Sequence, residues 1–163
     1  MAALPVRIGF LGGGRFAQYY RVPALRQSAA ARVTAICDPQ PGAALRRIAA
    51  ELDIPFVSDI EELLAAGLCD VVIISTPHAL HAAHAHAVLE AGRHVLVDKP
   101  FVMHVVEADA LAALAAARGR VAGVAFIRRL DRGCIRAREI ICNGALGAIR
   151  YVETVQLGYP TEG

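Results

Sequence analysis

The chain has 163 residues, 56% of them hydrophobic, with 17 Lys and Arg against 15 Asp and Glu and a net charge of +2. That length suits one domain, or one domain and a piece of another, and the composition excludes disorder. The basic residues are scattered apart from pairs such as Arg46-Arg47 and Arg128-Arg129, which gives no case for nucleic acid or an anionic membrane as a partner. The sequence passes from Met1 straight into an apolar run, so no signal peptide is expected. No run approaches the roughly 18 apolar residues of a membrane span. Cys37, Cys69, Cys134 and Cys142 make no C-x-x-C pair. Free thiols in a reducing cytoplasm, buried where strands carry them, are the expectation.

The first predicted strand, near 6–11, carries Val6, Ile8, Phe10 and Leu11 and stops at Gly12-Gly13-Gly14. A helix is predicted near 14–28, interrupted by Pro23. Gly12, Gly14 and Ala17 fit the G-x-G-x-x-G/A fingerprint of a dinucleotide-binding βαβ unit. Gly12 allows the tight turn, Gly14 lets a pyrophosphate approach the backbone, and Ala17 lets the helix pack closely on the strand. The phosphates would sit on the N–H groups of the helix start. Gly13, Arg15 and Phe16 complete this candidate loop. The second predicted strand, near 32–37, ends at Asp38, where the fingerprint expects an acid for the adenosine ribose hydroxyls. Asp38 also reads as a turn former ahead of Pro39. No arginine stands beside it to meet a 2′-phosphate, so NAD is expected over NADP.

Further along, helices are predicted near 41–52, 59–66, 79–91 and 104–118, and strands near 55–57, 70–75, 94–98 and 121–127. Gly67, Gly92 and Gly119 read as helix stops. The alternation implies an α/β fold, a Rossmann-type doubly wound parallel sheet. Ligands of such sheets bind outside the carboxyl ends of the strands. Ser75, Thr76 and Pro77 should therefore line the crevice, with His78 and His81 just after them. Asp98-Lys99-Pro100 ends the next strand at the same edge. A lysine there can hydrogen-bond a substrate hydroxyl or stabilise negative charge on oxygen. On spacing alone, a solvated loop cation paired with Asp98 is the stronger reading of Lys99. His81 and His84 share a helical face, as zinc ligands can, but no cysteine or carboxylate completes a set and no metal is expected.

After about residue 127 the pattern changes. Residues 128–147 read as a loop and a helix, and 149–157 as a strand. The division expected is a dinucleotide-binding domain over 1–127 and the start of a second, α+β domain over 128–163. A lone strand there would leave an exposed edge, open to pairing between copies.

Several segments match one family in order and spacing. They are the glycine loop at 12–17, A-I-C-D-P, D-V-V-I-I-S-T-P-H-A-L-H, A-G-R-H-V-L-V-D-K-P, F-I-R-R-L-D and G-A-L-G-A-I-R-Y-V. In these the chain resembles the N-terminal half of the glucose–fructose oxidoreductase, inositol dehydrogenase and rhizopine-catabolism (Gfo/Idh/MocA) family. The resemblance implies NAD(P)-dependent hydride transfer at a hydroxyl-bearing carbon of a sugar, inositol or related polyol. It makes Lys99 the active-site lysine and reverses the reading from spacing. It places Asp98 where glutamate is usual, His78 where asparagine is commoner, and His81 on the family histidine. Arg129 matches an arginine near the domain junction, with Arg128 as the alternative. In the family a second domain supplies most substrate contacts, an aspartate and histidine for proton transfer, and the oligomer interface. A homo-oligomer is therefore expected, and the chain reaches about one strand into that domain. A non-catalytic NAD-binding module or sensor stays open as the alternative.

Overall fold

The computed structural model of the chain describes residues 4–15 and 17–155. Short runs of branched and other apolar residues form the strands β1 (Val6–Leu11), β2 (Ala31–Cys37), β3 (Phe56–Val57), β4 (Val71–Ile74), β5 (His94–Val97) and β6 (Ala122–Val124). They join in one six-stranded sheet of order β3-β2-β1-β4-β5-β6, and every neighbouring pair is parallel. Parallel neighbours need crossovers, and these supply the helices α1 (Val22–Arg26), α2 (Ala43–Leu52), α3 (Ile60–Ala65), α4 (His81–Glu90) and α5 (Val105–Ala117).

The period of two along each strand sends alternate side chains to opposite faces. Ile8, Phe10, Ile36 and Ile73 pack in one cluster with Val22 of α1 and Leu45 and Ala49 of α2. Leu11, Cys37, Val72, Ile74, Val95 and Val97 pack in a second with Leu63 of α3, Val88 and Leu89 of α4, and Leu111 of α5. Both faces of the sheet are thus used, which explains why the strands read as near-continuous apolar runs. Alanine fills many of the buried helix positions (Ala49, Ala85, Ala115), so helix and sheet approach closely. This is the Rossmann-type doubly wound sheet that the alternation predicts. Its strand order reverses between β1 and β4, and the gap at their carboxyl ends is where a crevice must open.

Two predicted elements differ from the structure. The helix expected over 14–28 is a π-helical turn, Ala17–Arg21, followed by the short α1. Pro23 is the reason. It has no N–H to give the carbonyl of Tyr19 and its ring presses on that group, and a wider turn ahead of it relieves both. The strand expected over 149–157 does not form in its described part, 149–155, and 156–157 lie outside the described residues. The chain divides into two compact units, Met1–Ala125 and Phe126–Gly163. Within the second, the elements described are a 3-10 turn, Ile127–Leu130, and α6 (Arg132–Cys142). A strand is held by a hydrogen-bonded ladder, and among the described residues of that unit no other strand offers one. Asp131 caps α6, its Oδ1 accepting the N–H of Gly133 at 2.9 Å and of Cys134 at 3.2 Å.

At the edge where the strands begin, Arg7 ties β1 to the approach of β4. It donates to Asp70 from its backbone N–H (3.0 Å), Nε (3.2 Å) and Nη2 (2.6 Å), while Nη1 donates to the Gly67 carbonyl at 3.0 Å. The Arg7 guanidinium and amide hold the Asp70 carboxyl down at about 2. A carboxyl depressed by folding adds stability that is complete above its unfolded value, near 4, and is lost as pH falls through the folded one. Urea unfolding of the wild type should therefore weaken between about pH 5 and about pH 2 by more than that of Asp70→Asn. Parallel declines in the two proteins would show that the pair adds nothing.

Candidate functional site

β1 delivers the glycine loop to the point where the strand order reverses. The Gly12 N–H donates to the Cys37 carbonyl at 2.9 Å, continuing the β1–β2 ladder. Gly12 then turns with φ +90°, and a Cβ there would stand 2.6 Å from the Ser75 carbonyl oxygen. The loop can pass the end of β4 only without a side chain. Gly14 is different. It is exposed, and a Cβ there would meet nothing within 4 Å, so the space above it is open to a ligand. The Gln18 amide on the π turn donates to the Gly13 carbonyl at 2.5 Å and pins the loop from behind. The N–H groups of Gly14 and Arg15 have no partner among the described residues, so they remain available as anion donors. Phe16 lies outside the described residues.

Asp38 sits at the carboxyl end of β2, half-buried. Its Oδ2 accepts the Gly13 N–H at 2.8 Å and its Oδ1 accepts the Gln40 N–H at 2.9 Å. The carboxylate is thus fixed beside the glycine loop, with lone pairs left over for two further donors. Loop and carboxylate open on a cleft of about 530 Å³, which Ser75, Thr76 and Pro77 line from the β4 side. Sequence reasoning missed Pro39, Gln40, Ser58, Leu80 and His84, which line it too. His84 had a signal, its i+3 spacing from His81, but nothing in the sequence linked it to Thr76. In the structure the Thr76 hydroxyl and His84 Nδ1 are 3.0 Å apart. Burial, with His81 close by, holds the His84 imidazole below its ordinary value.

The turns after β4 and β5 are joined by His81. The sequence places it among the cofactor contacts, but it is fully buried. Its Nδ1 lies 2.8 Å from the Pro100 carbonyl oxygen and its Nε2 3.0 Å from that of Thr76. A neutral ring donates to one of these carbonyls and the imidazolium to both. Either way His81 acts as a strut between the two turns and touches no open space. His78 is exposed on the 3-10 turn His78–Leu80, its ring packed edge-on against His81 at 5.5 Å between centroids.

Asp98 and Lys99 form no pair in this structure. Asp98 is taken by Arg21 from the π turn, whose Nη2 donates to its Oδ1. Both side chains are largely buried, 11% and 20% exposed, and Arg21 Nη1 reaches the Ser75 hydroxyl at 3.4 Å. Burial pulls the Arg21 guanidinium below its ordinary value against the opposing pull of Asp98. Lys99 is exposed, is joined to Pro100 by a cis peptide bond, and makes no ion pair with a described residue. Arg129 belongs to the second unit, on the turn Ile127–Leu130. Among the described residues no group of His, Cys, Asp or Glu could hold a metal ion, and no helix is long and apolar enough to cross a membrane.

The glycines give a paired expectation. Gly12→Ala should lose at least about 1–2 kcal/mol, the strain of a side chain on left-handed backbone, before its contact with the Ser75 carbonyl is counted. Gly14→Ala should unfold within about 0.5 kcal/mol of wild type, as substitutions away from packed features do. Thermal denaturation of the two variants checks this, and equal losses would contradict the loop geometry.

The comparisons with known proteins agree with this fold. Residues 6–126 match the family described as an oxidoreductase family with an NAD-binding Rossmann fold. UDP-N-acetylglucosamine 3-dehydrogenase of Acidithiobacillus ferrooxidans is 31% identical over 152 residues, 93% of this chain and 45% of that enzyme. The scyllo-inositol 2-dehydrogenase (NADP(+)) of Bacillus subtilis is 31% identical over 107 residues, 66% of this chain and 29% of that enzyme. The WlbA dehydrogenase of Bordetella pertussis, solved in complex with NADH and UDP-GlcNAcA, superposes with a TM-score of 0.81 at 27% identity, over 88% of this chain and 43% of that one. The chain spans less than half the length of the curated relatives it matches. Its sheet, its glycine loop and this match together place the chain in the Gfo/Idh/MocA oxidoreductase family, with an NAD-binding Rossmann domain over residues 6–126.

Proposed function

We propose that this chain is the cofactor-binding part of an oxidoreductase that moves hydride between NAD and a hydroxyl-bearing carbon of a sugar, inositol or related polyol. One observation carries the reading: the open backbone at Gly14, the fixed Asp38 carboxylate and the Lys99 turn all lie at one edge of the sheet. Relatives that act on a nucleotide sugar and on an inositol support the substrate class.

When bound, the nicotinamide supplies the hydride donor or acceptor. The chain's own residues hold and orient. Gly12 and Gly13 shape the loop, and the Gly14 and Arg15 amides receive the pyrophosphate. The free lone pairs of Asp38 accept the ribose hydroxyls. Ser75, Thr76 and Pro77 wall the crevice beyond them, and Phe16, His78 and Arg129 are assigned to the same cofactor by their family positions alone. His81 and Asp98 serve the cofactor indirectly, by fixing the turns that border it. Lys99 presents its ammonium to the substrate oxygen, as a donor in the alcohol and as a countercharge when the proton leaves. Turnover is assigned to this chain together with a substrate domain like those of its longer relatives. A missing general base alone typically costs 10²–10⁴-fold. The chain by itself should therefore bind dinucleotide without useful turnover of a panel of sugars and inositols, followed at the reduced-nicotinamide absorbance.

The preference for NAD over NADP rests on residue 38 alone, because one relative is itself named for NADP(+). A 2′-phosphate about 4 Å from the Asp38 carboxylate is repelled by about 4 kcal/mol at an effective dielectric near 20. Solvent at the crevice mouth reduces this, yet about 1.4 kcal/mol already means tenfold. Fluorescence titration should show NADH bound at least about tenfold tighter than NADPH, with the gap narrowed in Asp38→Ser. NADPH bound equally or better would overturn the preference, and failure to bind either would overturn the dinucleotide reading.

A further inference from the structure

We propose that Arg21 is a positioning residue for Lys99: it takes up the Asp98 carboxylate and so leaves the neighbouring ammonium unpaired at the crevice edge. The inference rests on the reading of Lys99 as the residue that meets substrate.

Lys99 is the only lysine among the chain's 17 Lys and Arg residues. Every other cation is arginine, so position 99 keeps the compact, flexible ammonium where arginine serves elsewhere. That ammonium has a competing partner one residue away. Asp98 is a carboxylate at the end of β5, and a free one would be the nearest countercharge along the chain. In the structure it is not free. The Arg21 guanidinium donates to it in a largely buried site, with its second amino group near the Ser75 hydroxyl. Arginine outcompetes lysine there because its planar fork matches a carboxylate and is less strongly hydrated.

Lys99 itself is exposed and makes no ion pair or side-chain hydrogen bond with a described residue. Its turn is held on the other side, where the buried His81 meets the Pro100 carbonyl at 2.8 Å. Residues 98 and 100 are thus fixed by Arg21 and His81, and residue 99 between them is left exposed at the carboxyl end of β5. Without Arg21 the half-buried Asp98 loses its countercharge, and Lys99, the next residue in the chain and unpaired among the described residues, is a cation that can replace it.

The single lysine makes this measurable without cofactor or turnover. Acetic anhydride at trace level, applied to the folded chain at one fixed pH, acylates Lys99 and the N-terminal amine. Peptide mapping by mass spectrometry separates the two, and the N-terminal amine is the internal standard. Arg21→Gln should label Lys99 about threefold more slowly, the protection an ion pair of this kind gives. Arg21→Gln/Asp98→Asn should label at the wild-type rate. Asp98→Asn alone should also leave the rate unchanged, because Asp98 does not hold Lys99 in the wild type. Faster labelling in Asp98→Asn would overturn the proposal, even if Arg21→Gln fails to fold. So would an unchanged rate in a folded Arg21→Gln, or slow labelling that persists in the double variant. The expected pattern in a chain that binds no dinucleotide would keep the Arg21 device and sink the functional reading.

Discussion

The structure turns on the close passage of two backbones at the centre of the sheet. The chain leaves β1 toward β2 and leaves β4 toward β5, so the two exits diverge and a gap opens between them. The gap is usable only because Gly12 can run against the Ser75 carbonyl, where a Cβ would stand 2.6 Å away. From that contact follow the height of the loop, the open space at Gly14, and the reach of the Gly13 N–H to Asp38. The turns around the crevice are then held by backbone hydrogen bonds and by short polar side-chain links.

Those links divide the labour between side chains that touch the open space and side chains that fix the turns. Asp38 does both, since it anchors to two amides and keeps lone pairs to spare. His81 and Arg21 do only the second, and both are buried or nearly so. Burying a charge is unfavourable unless it is paired and hydrogen-bonded, and the Arg21–Asp98 contact meets that condition beside the crevice. An exposed lysine between two fixed neighbours is the consequence at the carboxyl edge of the sheet.

The parts of this arrangement written in contiguous residues were legible in the sequence. The apolar runs, the glycine loop, the acid at the end of β2 and the Asp98-Lys99-Pro100 turn each occupy a few adjacent positions, so local pattern reveals them. Arg21 and Asp98 are far apart in the chain, and no period or motif connects them. The same is true of His81, whose place in a T-P-x-x-x-H segment suggests a ligand while its two carbonyl partners come from different loops. Pro23 announced a break in the first helix, but not that the preceding turn would widen to the π form. The apolar stretch after residue 148 reads as a strand by composition, yet a strand exists only with a partner, and composition does not name one.

The most direct test of the account is where dinucleotide meets this chain. An amide NMR titration with NADH reads every backbone position at once. Shifts gathered at Gly12 to Arg15, Asp38, Ser75 to His78 and Lys99 would locate the ligand in the crevice at the carboxyl ends of β1 and β4. Shifts gathered instead at the opposite strand ends, around Arg7, Asp70 and His94, or no shifts at all, would contradict it.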